Sequence, residues 1–160
     1  GVHSNGYSLV RRIVEASGLG WDDACPWAEG TLGEALLTPT RLYVKAALAA
    51  IEAGGVHGFA HITGGGLSEN LPRVLPNGLG VDVDLDAWDL PPVFVWLAAQ
   101  GGMAESEMLK TFNAGIGMVV VVAADAVGPV RAALEAQGQS VIEIGHVSAG
   151  QGVSYRGTLV

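Results

Sequence analysis

The chain has 160 residues, of which 49% are hydrophobic and 15% are charged. This is the length of one domain with a buried core, and the composition excludes a disordered chain. Sixteen acidic side chains against eight basic ones give a formal charge of −8. That balance argues against a nucleic-acid or membrane-surface partner, because such surfaces need clustered Lys and Arg. The longest apolar run, residues 118–124, is too short to cross a bilayer.

Cys25 is the only cysteine, so no internal disulfide can form. This usage indicates a reducing, cytoplasmic compartment. The start of the chain shows no signal-peptide pattern. The sequence opens without Met on what resembles a helix entry, so we expect a part of the protein upstream.

The first helix is predicted to be capped by Ser4 or Asn5 and to end near Gly18. Its inner face is given by apolar residues at helical spacing: Tyr7, Val10, Ile13 and Val14. Residues 19–30 contain Gly, Asp and Pro without a regular period, which predicts a loop. Trp21 and Trp27 are expected to hold this loop to the core.

Two helices are predicted before the first strand. A short one spans residues 32–36, and residues 37–43 are then extended because Pro39 disfavours helix in the residue before it. The second helix has Val44, Leu48 and Ile51 along one face and ends at Gly54.

The central feature is a strand-like segment, residues 56–62, followed by Gly64, Gly65 and Gly66 and by a short helical pattern. The first amides of a helix lack internal acceptors and favour an anion, and glycines let a ligand approach the backbone closely. One interpretation is a cradle for phosphate or another oxyanion. The other is a tight turn that needs small residues, and spacing alone does not separate the two.

Further candidate ligand contacts lie in three places: before the first helix, around the glycines, and in a later turn. They are His3, Ser4, Asn5 and Gly6, then His61, Thr63 and Asn70, then Asn113 and Gly115. Ordinary helix capping and turn formation remain alternative explanations for the first and third groups. No metal site is predicted, because His57 and His61 lack a third ligand.

The second half alternates further. Val81, Val83 and Leu85 interleave with three aspartates, which predicts a strand with one solvated face, since the Gly and Glu of a calcium loop are missing. Helices are predicted from Pro91-Pro92 to Gly101 and over residues 105–112. Met108, Leu109 and Phe112 should face inward from the second of these.

Residues 118–122 are apolar on both faces, which predicts a central strand. Asp125 is expected to cap a last helix whose inner face carries Val127, Val130 and Leu134. Strands over 140–147 and 153–160 complete the chain. The sum is an α/β domain of α+β type, a mixed sheet with helices packed on it, in which the strands flanking the last helix share one sheet.

Four stretches together resemble one family, phosphoribosylformylglycinamidine cyclo-ligase (aminoimidazole ribonucleotide synthetase), over its C-terminal half. They are Gly-Val-His-Ser-Asn-Gly-Tyr-Ser-Leu-Val-Arg (1–11), Leu-Leu-Thr-Pro-Thr-Arg-Leu-Tyr-Val-Lys (36–45), Ala-His-Ile-Thr-Gly-Gly-Gly-Leu-Ser-Glu-Asn-Leu-Pro-Arg-Val-Leu-Pro (60–76) and Thr-Phe-Asn-Ala-Gly-Ile-Gly-Met (111–118). The resemblance implies a single C-terminal, substrate-side domain over residues 1–160.

The resemblance also implies a reaction of purine biosynthesis. ATP, with Mg²⁺, phosphorylates the formamide oxygen of formylglycinamidine ribonucleotide, and ring closure gives aminoimidazole ribonucleotide, ADP and phosphate. In this family the ATP-binding machinery and the homodimer interface lie mostly in an N-terminal domain, which this chain lacks. We therefore expect the chain alone to bind its ribonucleotide substrate weakly and to catalyse nothing. No side chain is singled out as the catalytic acid or base.

Two alternatives stay open. The first is the matching domain of a related superfamily enzyme: formylglycinamidine ribonucleotide synthetase, thiamine-phosphate kinase or selenophosphate synthetase. These enzymes are not expected to keep the Pro-Thr-Arg-Leu-Tyr-Val-Lys stretch beside the His-Ser-Asn-Gly one. The second alternative is a non-catalytic α/β domain whose glycines only form turns.

Overall fold

The computed structural model describes residues 1–159. Within them, seven α-helices and two small sheets form a mixed α/β domain, which confirms the predicted fold class. The helices are α1 (Tyr7–Ser17), α2 (Leu32–Leu36), α3 (Val44–Ala53), α4 (Gly66–Asn70), α5 (Pro92–Gly101), α6 (Glu105–Thr111) and α7 (Val127–Ala136). The strands are β1 (Val56–His61), β2 (Leu79–Asp84), β3 (Met118–Val122), β4 (Gly145–Ala149) and β5 (Gly152–Arg156).

The two sheets divide the strands unequally. β1 pairs only with β3, antiparallel, with Ala60 opposite Val119 and His61 opposite Met118. β2 is central in the other sheet, antiparallel to β4 and parallel to β5. The prediction that residues 118–122 form a central strand is therefore wrong, and so is a shared sheet for β3 and β4. All five residues of β3 are only half-buried, because one partner strand leaves the other edge uncovered.

The core lies between helices α1, α5 and α6 and the inner faces of the strands. Val10, Ile13 and Val14 of α1 are buried, as predicted. Phe94 of α5 packs against Phe112 in a tilted arrangement, with ring centroids 5.7 Å apart. The predicted inward residues of α6, Met108 and Leu109, are buried as well, as is Phe112.

Two predicted caps are wrong. α1 begins after Gly6, which has a φ of 70° and no side-chain cap, because the chain enters the helix through left-handed residues. α7 begins after Ala126, and Asp125 lies in the preceding 3₁₀ turn without capping the helix. A capping box that the sequence analysis missed starts α2, where the side chain of Thr31 accepts from the amide of Glu34.

Helix α3 has the predicted ends but presents its apolar face outward. Ala46 and Ala50 are its buried residues, on the side that packs against α7. The predicted anchoring of Trp21 is also wrong, because 46% of that residue is exposed. Trp27 does pack on the core, with its ring centroid 5.0 Å from that of Trp96.

The last predicted strands shift along the chain. β4 begins at Gly145 rather than at residue 140, and β5 ends at Arg156. Val160, the last residue of the predicted strand, lies outside the described residues. In β2, Val81 and Val83 are buried, and Asp82 and Asp84 are half-buried. Leu85 begins a 3₁₀ turn. None of the helices within residues 1–159 has both the length and the hydropathy needed to span a bilayer.

Candidate functional site

The residues before α1 hold an unusual backbone conformation. Among residues 1–159, only three non-glycine residues have positive φ: His3 (51°), Ser4 (61°) and Ala114 (50°). Such residues cost free energy and cluster at sites where the surrounding structure imposes them. The side-chain amide of Asn5 donates to the carbonyl of His3 at 3.0 Å and so supports this turn.

The glycine loop follows β1 directly and meets this turn. The amide of Gly64 donates to Oδ1 of Asn5 at 3.0 Å, and the amide of Gly66 donates to the carbonyl of Thr63 at 2.9 Å. Gly65, with a φ of 96°, starts helix α4. Within the described residues, no internal acceptor is found for the Gly65 amide. Two of the three amides of the predicted cradle therefore already have partners inside the protein.

Asn70 organises the loop from the inside. It is 6% exposed, and its side-chain nitrogen lies 3.4, 3.2 and 2.8 Å from the carbonyl oxygens of Thr63, Gly64 and Gly66. Its Oδ1 accepts from Arg73 at 3.1 Å. Both polar ends of the side chain thus bond within the protein, which makes Asn70 a scaffold of the loop.

Side-chain hydrogen bonds hold the turn at residues 113–117. Asn113 is buried, donates through Nδ2 to the carbonyl of Gly1 at 3.1 Å, and accepts from the amide of Gly115 at 2.8 Å. The carbonyl of Ala114 accepts from the indole nitrogen of Trp88 at 2.9 Å. These bonds fix the strained turn and tie it to the start of the chain.

Three rings, those of His3, Tyr43 and His61, lie close to one another beside this turn. The centroid of the Tyr43 ring lies 6.3 Å from that of His3 and 6.0 Å from that of His61. Gly117 makes room for them, because a Cβ there would lie 2.7 Å from Cε1 of His3 and would collide with the Tyr43 hydroxyl. The amide of Ile62 donates to the carbonyl of Gly117 at 3.0 Å. This hydrogen bond ties the backbone beside His61 to the turn that makes room for the rings.

Burial favours the neutral form of two groups, His3 and Tyr43, in this ring cluster (His3, Tyr43 and His61). Burial lowers the pKa of His3, and the N-terminal ammonium, His61 and Arg41 act in the same direction. Burial raises the pKa of Tyr43, although the charge of Arg41 opposes this shift. At neutral pH the imidazole of His3 is therefore uncharged and the phenol of Tyr43 keeps its proton. Nδ1 of His3 is buried with no hydrogen-bond partner among the described residues, so it can still form a hydrogen bond with a ligand.

A cavity of about 730 Å³ opens beside the ring cluster and continues between β3 and α7. Gly1, His3, Arg41 and Tyr43 line one end, and the valines of β3 line its apolar wall. Gly64, Gly65 and Gly66 are not among the lining residues. The predicted cradle is therefore not part of this cavity.

The structure brings most of the predicted site residues together. His3 and Asn5 adjoin the glycine loop and the 113–117 turn. Ser4 faces outward, with its hydroxyl 3.4 Å from that of Thr40. Arg41 and Tyr43 also belong to the site but were not predicted as site residues. Both lie in the Pro-Thr-Arg-Leu-Tyr-Val-Lys stretch, and Arg41 is one of only eight basic residues in the chain.

The family model of the AIR synthase related protein, C-terminal domain, matches residues 1–157. The chain belongs to this family. The match covers all four stretches that meet at the site, and the mixed α/β fold is that of this domain.

Three solved structures resemble this AIR synthase-related domain. A protein designated tt0281 from Thermus thermophilus is 29% identical, with a TM-score of 0.51 over 74% of this chain and 36% of its own. The hydrogenase maturation protein HypE from E. coli is 21% identical, with a TM-score of 0.59 over 79% of this chain and 41% of its own. Thiamine-monophosphate kinase from Stenotrophomonas maltophilia K279a is 19% identical, with a TM-score of 0.63 over 96% of this chain and 47% of its own. The domain thus spans less than half the length of each of these chains, and the last two likenesses show the fold alone.

Proposed function

We propose that this chain is the substrate-side domain of an ATP-dependent cyclo-ligase that converts formylglycinamidine ribonucleotide to aminoimidazole ribonucleotide. One observation supports the proposal. Four stretches that are distant in the sequence meet around a small group of strained residues and unpaired polar atoms. They are residues 1–6, 41–43, 61–66 and 112–117. These are the stretches whose sequence resembles that family.

The ligand's uncharged groups suit the ring cluster. A neutral imidazole can donate from one nitrogen and accept at the other, and a protonated phenol can do both. His3 and Tyr43 can therefore bind ribose hydroxyls and an amidine without leaving a charge buried. Arg41 is an exposed cation at the rim.

The phosphate end is assigned to the glycine loop. The amide of Gly65 has no internal acceptor within the described residues and is available directly. The amide of Gly64 becomes available only if Asn5 turns its side chain away, because Oδ1 of Asn5 now accepts from it. The Gly66 amide stays bonded to Thr63, so we expect two amides, not three, to contact an oxyanion.

ATP and Mg²⁺ are proposed to be held by an N-terminal domain, which would also carry most of a homodimer interface in the cytoplasm. Within residues 1–159, no three side chains of His, Cys, Asp or Glu are grouped so as to hold a metal ion. No step on this chain is therefore assigned to Mg²⁺. The role of the chain is to bind and orient the ribonucleotide, which in phosphoryl transfer supplies much of the rate enhancement.

The test is a titration of uniformly ¹⁵N-labelled residues 1–160 with formylglycinamidine ribonucleotide, ribose 5-phosphate and thiamine monophosphate. We expect shifts centred on the backbone amides of Gly64, Gly65 and Tyr43 and on the imidazole nitrogens of His3. Shifts scattered over other faces, or none at millimolar ligand, would contradict the assignment of the site.

A matched pair of variants separates binding from folding. In Gly64→Ala the nearest atom to the new Cβ would be Oδ1 of Asn5 at 3.8 Å, an ordinary contact, so the fold should be unchanged. We expect it to weaken ribose 5-phosphate binding about three- to tenfold, because a methyl group obstructs close approach to the amide. Gly128→Ala, at an open position on α7, is the control and should bind like the wild type.

A second candidate is the matching domain of a thiamine-phosphate kinase or of another enzyme of the superfamily. It is favoured by the alignment of thiamine-monophosphate kinase over 96% of this chain. Supplying an ATP-binding domain and measuring ADP release separates the two. ADP formed with formylglycinamidine ribonucleotide but not with thiamine monophosphate supports the cyclo-ligase. The reverse supports the kinase, and no ADP with either supports a non-catalytic domain.

A further inference from the structure

The outer face of α3 carries an exposed apolar stripe. Val44, Leu48 and Ile51 recur at the spacing of one helix face and are 68%, 56% and 55% exposed. Leu42, just before the helix, is 87% exposed and extends the stripe. Contiguous apolar surface of this kind marks an interaction site more often than isolated exposed residues do.

The helix cannot bury this stripe by turning. At about 100° per residue, Ala46 and Ala50 lie on the side opposite to Val44 and Leu48. Those two alanines are buried on the side that packs against α7. The small residues allow the close helix contact, and the large apolar ones are left outside.

Two charges flank the stripe in a self-complementary way. Lys45 and Glu52 are seven residues apart, so they lie on the same flank of α3, one near each end. Within residues 1–159, neither forms an ion pair. If a second α3 packs antiparallel about a two-fold axis near Leu48, each Lys45 faces Glu52 of the partner subunit.

We propose that this stripe (Leu42, Val44, Leu48 and Ile51) binds the same stripe of a second copy of the chain through antiparallel α3 helices. The contact is isologous and closes as a dimer. A single three-turn helix provides less than the roughly 800 Å² per partner of a standard interface, so the dimer should be weak, with a dissociation constant of about 10–500 μM. The proposal does not depend on the proposed function.

The first experiment is sedimentation equilibrium of residues 1–160 from about 5 μM to 1 mM, the range over which a weak dimer forms. The wild type should dimerise, and Leu48→Glu should remain monomeric at every concentration. Val95→Glu is the matched control, because Val95 is 45% exposed on α5, away from the stripe. It should dimerise like the wild type.

The second experiment tests the register. Lys45→Glu and Glu52→Lys should each weaken the dimer about tenfold or more, because each replaces two attractions by two repulsions. The double variant Lys45→Glu/Glu52→Lys restores opposite charges at both ends and should dimerise within about threefold of the wild type, like the charge-matched pairs that specify helix partners. No other kind of partner would respond in this way.

Three outcomes would overturn the proposal. One is a wild type that stays monomeric at 1 mM. Another is a dimer that neither Leu48→Glu nor the single charge variants weaken, which would place the interface elsewhere. The third is a double variant that stays as weak as the single ones. If a monomeric chain instead bound a separate ATP-binding domain and Leu48→Glu abolished that binding, the stripe would belong to that domain and not to a second copy.

Discussion

Replacing Gly66 by Ala should destabilise the domain strongly, because the added Cβ would meet backbone atoms in a buried position. Gly66 has a φ of 56°, and a Cβ there would lie 2.7 Å from the carbonyl carbon of Leu109 and 2.8 Å from the carbonyl oxygen of Phe112. A left-handed Ala costs about 1–2 kcal/mol. Overpacking costs a further ~1–3 kcal/mol, since backbone atoms cannot rotate away. We therefore expect a loss of about 2–5 kcal/mol, a large part of the ~5–15 kcal/mol that stabilises a typical domain.

Two control variants separate these terms. Gly18 has a φ of 76° and no atom within 4 Å of where an added Cβ would lie, so Gly18→Ala should cost only the conformational term, about 1–2 kcal/mol. Gly128 is the second residue of α7, directly before Pro129, and has no positive φ. Gly128→Ala should change the stability by less than about 0.5 kcal/mol, because the entropy gained by replacing Gly in a helix is offset by the clash of a Cβ with the following proline ring.

The assay is urea denaturation of residues 1–160, followed by tryptophan fluorescence and by circular dichroism to test two-state behaviour. The wild type and Gly128→Ala should be about equally stable, Gly18→Ala should be less stable, and Gly66→Ala should be the least stable of the four. If Gly66→Ala and Gly18→Ala differed by less than about 0.5 kcal/mol, the close approach of α4 to the Leu109–Phe112 backbone would not constrain the loop, and the packing argument would be refuted.

Three further predictions concern the same loop, a helix start and the ring cluster. Asn70→Ala removes the donor shared by three loop carbonyls and should cost about 1–3 kcal/mol in urea denaturation, and a cost under ~0.5 kcal/mol would contradict the scaffold role. Thr31→Ala removes the cap of α2 and should cost about 0.5–2 kcal/mol, whereas Thr31→Ser should stay near the wild type. The pKa of His3 is lowered in the folded state, mainly by burial, so the unfolded chain takes up a proton first as the pH falls below the ordinary value of about 6.5. The wild type should therefore lose more stability than His3→Asn between pH 7.5 and pH 5, and equal losses in the two proteins would show that His3 does not contribute.

The helix bounds were predictable because their signals are local. Gly18, Gly54 and Gly101 stand at or next to the ends of α1, α3 and α5, and Pro92 is the first residue of α5. Glycine adopts the left-handed conformation that ends a helix, and proline fits its first turn. The predicted cap of α1 failed because the backbone before that helix has positive φ at His3 and Ser4, which no local sequence pattern indicates for those residue types.

Sheet order and the outward face of α3 were not predictable from the sequence. The run of valines in β3 reports that both faces avoid water, but it does not identify the partner strand, which lies about sixty residues earlier in β1. Helical periodicity likewise identifies the apolar face of α3 without indicating what covers it. In the fold, alanines take the inner side and the larger residues remain outside.

The three consecutive glycines serve three different physical roles, and this limits where the phosphate interpretation can apply. Gly66 is needed because backbone atoms of the α6 segment come within 3 Å of where its Cβ would be. Gly65 is needed for the left-handed start of α4, and it is the one whose amide has no internal acceptor among the described residues. Gly64 has neither a positive φ nor a close neighbour, so the turn by itself gives no reason for a glycine there. The absence of a side chain at Gly64 is therefore the feature that a ligand would explain. For this reason Gly64→Ala, rather than a change at Gly65 or Gly66, separates a binding loop from a turn.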